Sequence, residues 1–532
     1  MAAASIPARM PSPTGRSGFW SLYHNLPHRF RTSGVLLAAR SFLTASNSCP
    51  LCCGVGTTER ASRQASRWCC MNRSDPRPWN MVVILAVLLL PAPCARMAIP
   101  DDRAASTIDT IVSRAMKEAG IEAAPRCTDE VFLRRVTLDL IGRIPTLQEI
   151  EQFRRRPDRA ACIDRLLASR EFDRFWSECL TTAAIGAGRP FGIDREILRA
   201  WYERMLADHV PYDEMARRLL TAEGNSSLSG PVNFWLRYPE DPTTKIARLF
   251  LGVRLGCARC HDHPFDRWTR EDFDRFSRFF DGIRLEELAE RNVVLREALM
   301  DAPPEDRPRF LTGARPHGRL WRSELAVYLT HSKPFARAYV NRIWYHLLGR
   351  GIVHPVDDFH RNNPPAIAEL LEFLRQTAVA QQFHLRPLIR QICRSETYQR
   401  SSTGGTAGDE AMRLFARFPL KPLTPGQLYD ATHTALGRPI DSAARRNALQ
   451  RLAARAVDDD FIAMWESRET AQDLLRRLAA PVDVPDHTNL DELFLRTLVR
   501  SPTPEERKAC AGHSAGDVMF ALLNSVEFAV NH

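Results

Sequence analysis

Apolar residues along most of the chain recur with the spacing of an α-helix. Between residues 108 and 116 the apolar positions are 108, 111, 112, 115 and 116, and a similar spacing runs from Leu133 to Gly142. Positions three and four residues apart share one face of a helix, so each segment predicts an amphipathic helix. No segment sustains the alternation of apolar and polar residues that is typical of a half-buried strand. The pattern therefore predicts a mainly α-helical fold without a sizeable sheet.

Helix-start signals support this prediction. Thr146 precedes Glu149 by three residues, which is the spacing of a capping box. Thr269 stands before a segment with four phenylalanines on one side, and Thr424 and Thr503 each stand directly before a proline. A cap residue followed by proline at the first helical position is a typical helix start.

The chain has 532 residues, which is more than one ordinary hydrophobic core holds. We predict a disordered targeting segment over 1–98 and a helical domain over 99–285. A charged, proline-rich stretch over 286–318 indicates a linker. A second helical domain is predicted over 319–532.

Positive charge is concentrated in the first of these segments. Residues 1–98 contain eleven arginines, no lysine and two acidic residues, so they carry +9 of the chain's net +10. The rest of the chain is therefore nearly neutral. A nucleic-acid-binding domain presents a basic face to the phosphates, so we expect no nucleic-acid partner.

An apolar run over 82–90 follows Arg73 and Arg77. It is shorter than the roughly 20 residues that a membrane-spanning helix needs, and it is typical of the core of a signal peptide. We therefore expect an exported protein of the periplasm or cell envelope, with no stable membrane span in the mature chain. Because a signal peptide normally begins a chain, we expect translation to start at Met71 or Met81.

The most specific chemical motif is Cys257-Ala-Arg-Cys260-His261. Cys-x-x-Cys-His is the attachment pattern of c-type haem. Two thiols about one helical turn apart reach the two vinyl groups on one edge of the porphyrin, and the adjacent histidine serves as the axial ligand. Seven cysteines follow residue 98, and this odd number argues against a dense disulfide framework. The motif predicts haem c at Cys257, Cys260 and His261.

Other interpretations of this segment stay open. His261, Asp262, His263 and Asp266 form a dense set of zinc-type ligands, so zinc is the alternative cofactor. The two cysteines also fit a disulfide in an oxidising compartment, or a structural role without any cofactor. His263 is excluded as the opposite axial ligand of a haem bound by His261, because two residues span at most about 7 Å.

A pair of carboxylates, Asp357 and Asp358, is a further candidate. A ligating imidazole usually donates its second N–H to a carboxylate or a carbonyl. We therefore expect the second domain to close over the motif, with one of these carboxylates near His261 or His263. Capping or salt bridging is the ordinary alternative for such a pair. Asp262 and Asp266 provide a local alternative as the partner of either imidazole.

Several longer segments resemble a known pair of domains. In the first half they are 134–146 (RRVTLDLIGRIPT), 163–169 (IDRLLAS) and 250–266 (FLGVRLGCARCHDHPFD). In the second half they are 335–344 (FARAYVNRIW), 348–353 (LGRGIV), 357–359 (DDF), 388–390 (LIR), 395–398 (SETY) and 523–528 (LNSVEF). The chain resembles the planctomycete cytochrome-c-like domain of unknown function followed by its usual companion domain.

This resemblance implies two helical domains and, through the family's name, haem. The family's function is unsettled, and this chain has a single Cys-x-x-Cys-His, so a multi-haem electron wire is not expected. We expect an exported c-type cytochrome-like protein that transfers electrons to a redox partner. The alternatives are a non-haem protein that binds a metal or another ligand, and a disulfide-stabilised scaffold. The sequence predicts no particular enzymatic activity.

Overall fold

The structure, a computed structural model, describes residues 101–186, 193–288, 292–453, 484–485 and 487–532. The predicted targeting segment 1–98 and its apolar run therefore lie outside the described residues. Within the described part, no helix is long and apolar enough to cross a membrane.

The predicted mainly α-helical fold is confirmed. The helices are α1 (Asp101–Glu118), α2 (Asp129–Ile141), α3 (Leu147–Arg155), α4 (Arg159–Leu167), α5 (Arg170–Ile185), α6 (Arg195–Ala207), α7 (Tyr212–Leu220), α8 (Val232–Arg237), α9 (Pro242–Ile246), α10 (Arg270–Ser277), α11 (Trp321–Thr330), α12 (Lys333–Leu348), α13 (Ala368–Ala380), α14 (Leu385–Arg394), α15 (Glu396–Gln399), α16 (Asp409–Arg413), α17 (Pro425–Ala435), α18 (Ser442–Ala453), α19 (Leu490–Leu498), α20 (Pro504–Cys510) and α21 (Ala515–Leu523). Capping boxes begin α3, α10, α17 and α20, each at the threonine that the sequence indicated.

Strands are few and short. They are β1 (Gly224–Asn225), β2 (Ile283–Glu287), β3 (Val293–Glu297), β4 (Lys421–Pro422) and β5 (Val530–Asn531). The first three form an antiparallel sheet in the order β1-β3-β2, and β4 pairs with β5. The segment 286–318, predicted as a linker, contains β3 and places Leu295 and Phe310 in the core. These two apolar side chains tie the segment to the helices.

Helices from both predicted blocks pack on one another. Helix α14 lies against α1 and α4, α11 lies against α7, and α12 contacts the turn that follows α9. One hydrophobic cluster includes residues from Ile108 to Val499. A second cluster packs Leu138 and Ile144 against α17, α19 and α21. The two helical blocks therefore share a common core within one compact unit, because apolar faces from each block cover the other.

Candidate functional site

The apolar stretch 246–255, which leads into the cysteine motif, does not form one continuous α-helix. Helix α9 ends at Ile246, and a π-helical turn over Ala247–Leu251 follows it. This turn ends at Gly252, whose φ of +69° suits glycine. A Cβ at Gly252 would lie 2.7 Å from the ring of Phe359, so the close approach of that ring also requires glycine here.

The two motif cysteines lie just beyond this break, on the surface. A 3₁₀ turn spans Gly256–Arg259, and Cys260 directly follows it. Ala258 is fully buried and holds the turn against the core, while Cys257 and Cys260 are exposed with free thiols. The predicted placement of both cysteines on one turn is thus found, but on a 3₁₀ turn and not on the end of an α-helix.

One ring nitrogen of His261 is hydrogen-bonded to the backbone. Its Nδ1 lies 2.8 Å from the backbone carbonyl oxygen of Asp262. A carbonyl only accepts hydrogen bonds, so Nδ1 is the donor in this contact. Ligating histidines commonly have this arrangement, in which the second ring nitrogen donates to a carbonyl. His261 is exposed, and its Nε2 is the ring nitrogen that this contact does not use.

The remaining predicted ligands instead fold the loop that follows. Nδ1 of His263 accepts the backbone N–H groups of Phe265 and Asp266, at 3.2 and 3.0 Å. Asp262 accepts the N–H of Arg270 at the start of α10, at 2.9 Å, and Asp266 accepts the N–H of its own neighbour. Among the described residues, no three His, Cys, Asp or Glu side chains come together as a metal site. The zinc-type ligand set is adjacent in sequence without converging in space.

Asp357 forms ion pairs with Arg248, on the π-helical turn, and with Arg254. One carboxylate oxygen is 2.6 Å from Nη2 of Arg248, and the other is 2.9 Å from Nη2 of Arg254. Burial alone would raise the pKa of Asp357, but the two guanidinium charges and their hydrogen bonds bring that pKa below its usual value. Two cations stabilise a buried carboxylate more strongly than one neutral imidazole does.

Asp358 is similarly placed. It lies 3.8 Å from Nε of Arg254 and 3.7 Å from Nε2 of His360. Within the described part of the chain, neither aspartate makes a hydrogen bond or an ion pair with His261 or His263. The predicted contact between these carboxylates and the motif imidazoles is therefore not observed, whereas the ordinary salt-bridging alternative is.

The second block nevertheless closes over the segment that carries the motif. The N–H of Phe359 donates to the carbonyl of Gly252 at 2.9 Å, and the amide of Asn362 donates to the carbonyl of Phe265 at 3.3 Å. Sequence reasoning missed Arg248, Arg254 and Asn362 as determinants of this region. The available signal was the presence of two arginines within the apolar stretch 246–255.

The RRVTLD segment on α2 has a structural role. Arg134 is buried and donates to the carbonyls of Thr497 and Phe528, at 2.8 and 2.9 Å. Arg135 donates to the carbonyls of Tyr398 and Arg400, at 2.5 and 2.9 Å. The two guanidinium groups thereby satisfy backbone acceptors of distant segments that would otherwise be buried without partners.

Asp139 completes this buried centre. It accepts hydrogen bonds from Nζ of Lys421 at 2.6 Å, from the hydroxyl of Tyr398 at 2.9 Å and from the amide of Asn531 at 2.8 Å. Three donors compensate the carboxylate for its lost hydration. The segment therefore joins the first block to β4, β5 and the end of α15.

Two consecutive parts of the chain match known protein families. Residues 107–285 match the family PSCyt2, a protein of unknown function (DUF1549), and residues 321–453 match the family PSD1, a protein of unknown function (DUF1553). No curated protein and no solved structure is significantly similar to the chain. The chain therefore carries a PSCyt2 domain followed by a PSD1 domain, in a two-domain arrangement of planctomycete type whose function is unknown.

Proposed function

We propose that the chain is an exported, cytochrome-like redox protein whose turn at Cys257, Cys260 and His261 attaches a c-type haem. This proposal rests on how the structure presents the three side chains that would hold the haem. Both thiols are free and exposed on one turn, and the hydrogen bond of His261 to the Asp262 carbonyl uses Nδ1 and not Nε2. A haem bound at this turn would supply one-electron redox chemistry.

Attachment requires only the two thiols and the vinyl groups. Each thiol would add its S–H across one vinyl double bond, so that a sulfur–carbon bond would form and the proton would go to the neighbouring vinyl carbon. No electrons are gained or lost in this addition. Cys257 and Cys260 would thereby hold the porphyrin edge, and His261 would hold the iron.

The exposure of the turn supports a role in electron exchange with a partner protein. A redox centre at the surface lies within short reach of a docked partner. Phe265 follows the motif and is 65% exposed, so it presents an apolar ring beside the site. Nδ1 of His263 accepts two backbone N–H groups, so this imidazole is held in the loop.

Export is part of the same proposal. Haem of the c type is attached outside the cytoplasm, and the apolar run over 82–90 provides the signal for export to the periplasm or the cell envelope. The partner is then an extracytoplasmic redox protein.

The test is expression of the full chain together with a haem-maturation system. A denaturing gel stained for haem peroxidase activity should show a haem-positive band at the mass of the mature chain. Cys257→Ala and Cys260→Ala should each lose one thioether bond, which shifts the pyridine haemochrome spectrum, and the double variant should lose the band. Cys510→Ala removes a cysteine remote in sequence from the motif and should leave the stain unchanged.

A colourless protein from that expression would refute the haem proposal. His261→Ala refines the test, because it should keep the covalent haem but change its absorption spectrum through loss of the axial ligand. Stoichiometric zinc in the purified protein would instead favour the metal-binding alternative.

A second candidate function is a dithiol–disulfide couple. It is favoured by the position of both free thiols on one tight turn at the surface, where oxidants and thiols have access. Mass spectrometry after alkylation distinguishes this candidate. A protein that carries no haem and loses two hydrogens on oxidation, in a peptide that contains both Cys257 and Cys260, would support it.

A further inference from the structure

The small sheet β1-β3-β2 ends in an exposed strand. Among the described residues, β2 pairs only with β3, so its other edge has no partner strand. The residues Arg284, Leu285, Glu286 and Glu287 are all exposed. An edge of this kind presents unpaired N–H and C=O groups to any strand that can approach it.

The register shows which backbone groups face outward. The N–H of Ala298 donates to the carbonyl of Gly282, and the N–H of Leu288 donates to the carbonyl of Asn292. Even-numbered residues of β2 are therefore the hydrogen-bonded partners of β3, because such pairs alternate along an antiparallel ladder. The N–H and C=O groups of residues 283, 285 and 287 consequently point away from β3.

The exposed edge carries one positive and one negative side chain at equal distances from its central residue. Arg284 and Glu286 flank Leu285 on its two sides. In the described part of the chain, neither Glu286 nor Glu287 has an ion-pair partner, and Arg284 donates only to the carbonyls of Asp281 and Ile283, at 2.7 and 2.9 Å. Asp281 lies near enough to Arg284 to interact with its charge, but the edge itself presents Arg284 and Glu286 as exposed opposite charges.

We propose that β2 pairs antiparallel with β2 of a second copy of this chain, with Leu285 opposite Leu285. In this register residue 283 of each copy lies opposite residue 287 of the other. The 285–285 pair and the two 283–287 pairs together use all the outward-facing backbone groups of the strand. Arg284 of each copy lies opposite Glu286 of the other, which forms two symmetric cross-strand pairs of opposite charge. The two sheets join into one sheet about a two-fold axis.

Apolar contacts support the same register. Leu285 lies opposite the fully buried Leu295 of β3 and is itself 40% exposed. A second Leu285 across the axis would extend this row and remove both side chains from water. On pairing, Arg284 must release the carbonyl of Ile283, which then accepts an N–H from the second copy. The guanidinium group turns from a backbone oxygen to a carboxylate, and charge-assisted hydrogen bonds of that kind are stronger.

Charge variants of the full chain test the proposal by sedimentation velocity over a range of concentrations. The wild type should approach the mass of a dimer. Either single variant, Arg284→Glu or Glu286→Arg, places like charges at both of the 284–286 pairs across the dimer axis. Each should weaken association by about 10-fold or more. The double variant Arg284→Glu/Glu286→Arg restores opposite charges and should recover the dimer, which a merely structural effect of the single changes does not predict.

Cross-linking tests the register. Residues opposite each other in a hydrogen-bonded pair have Cα atoms about 5.5 Å apart, which suits a disulfide. Leu285→Cys in a background with Cys257→Ser and Cys260→Ser should form a covalent dimer under mild oxidation. Leu299→Cys is the matched control, since Leu299 is 58% exposed but lies beyond the end of β3, and it should remain monomeric on a denaturing gel.

A wild-type chain that stays monomeric at all concentrations would overturn the proposal. A dimer that survives both single charge changes and does not cross-link at residue 285 would overturn it as well, because it would use another surface. Neither result depends on whether the Cys257 turn attaches haem.

Discussion

Replacing Asp357 by alanine should loosen the backbone that carries the motif. The Asp357 carboxylate joins Arg248, on the π-helical turn, to Arg254, three residues before Cys257. Without this carboxylate, the two guanidinium groups lose the hydrogen-bonded anion that they share. We therefore expect the segment 247–261 to open more often, while the core formed by α2, α5 and α12 stays intact.

The magnitude follows from the burial of the three side chains. Removing one partner of a fully buried ion pair costs about 3–5 kcal/mol. Here the carboxylate is 11% exposed but the two arginines are 33% and 39% exposed, so water screens part of their repulsion. We expect a loss of about 2 kcal/mol in the free energy of local opening, which corresponds to exchange about 30-fold faster.

Hydrogen–deuterium exchange with peptide-level mass spectrometry measures this opening. Asp358→Ala is the matched control, because Asp358 makes only the longer contacts to Arg254 and His360 and should change exchange less than threefold. Equal exchange of 247–261 in the two variants would refute the reasoning. The low pKa of Asp357 adds a pH dependence. Its stabilising contribution is present above the unfolded pKa of about 3.9 and is lost as the pH falls through the lower folded pKa.

Three further predictions concern the core. Asn341→Leu should destabilise the fold by about 2–4 kcal/mol in chemical denaturation, because the buried Asn341 bonds both the N–H and the C=O of Val353 and their loss leaves two buried groups unpaired. Burial lowers the pKa of His346 to about 3, so between pH 6 and 4 only the unfolded state binds a proton on this imidazole. Stability therefore falls with pH in this range, and His346→Phe should reduce that fall by about 1.4 kcal/mol per pH unit. Gly142→Ala should lower the free energy of unfolding by about 2–4 kcal/mol, because its φ is +78° and the new Cβ would lie 2.3 Å from a buried aromatic ring. Gly120→Ala should lower it by only about 1 kcal/mol, because its φ is +66° but nothing lies within 4 Å of the new Cβ.

Specific results would contradict each of these. Asn362→Ala is the control for Asn341, because it removes one exposed amide contact, and equal losses in the two variants would exclude the role given to the buried pair. An unchanged pH slope in His346→Phe would mean that the imidazole titrates in the folded protein. Equal costs at Gly142 and Gly120 would mean that the ring yields to the new methyl group.

The sequence by itself determined the features that depend on neighbouring residues. Helical spacing and threonine caps are local, because the groups that satisfy a helix start lie within three residues of each other. The starts of α3 and α10 at Thr146 and Thr269 were therefore predictable. The Cys-x-x-Cys-His motif is local in the same sense, since its spacing alone places both cysteines on one turn.

Only the tertiary structure decided which distant groups meet. Asp357 pairs with Arg248 across 109 residues, and no pattern along the chain distinguishes this partner from the imidazole of His261. Likewise, only the folded chain brings the ring of Phe359 so close to Gly252 that a side chain at 252 would not fit. Burial explains both outcomes, because a carboxylate removed from water is stabilised by whichever charges the packed helices place beside it, and helix packing is a property of the whole core.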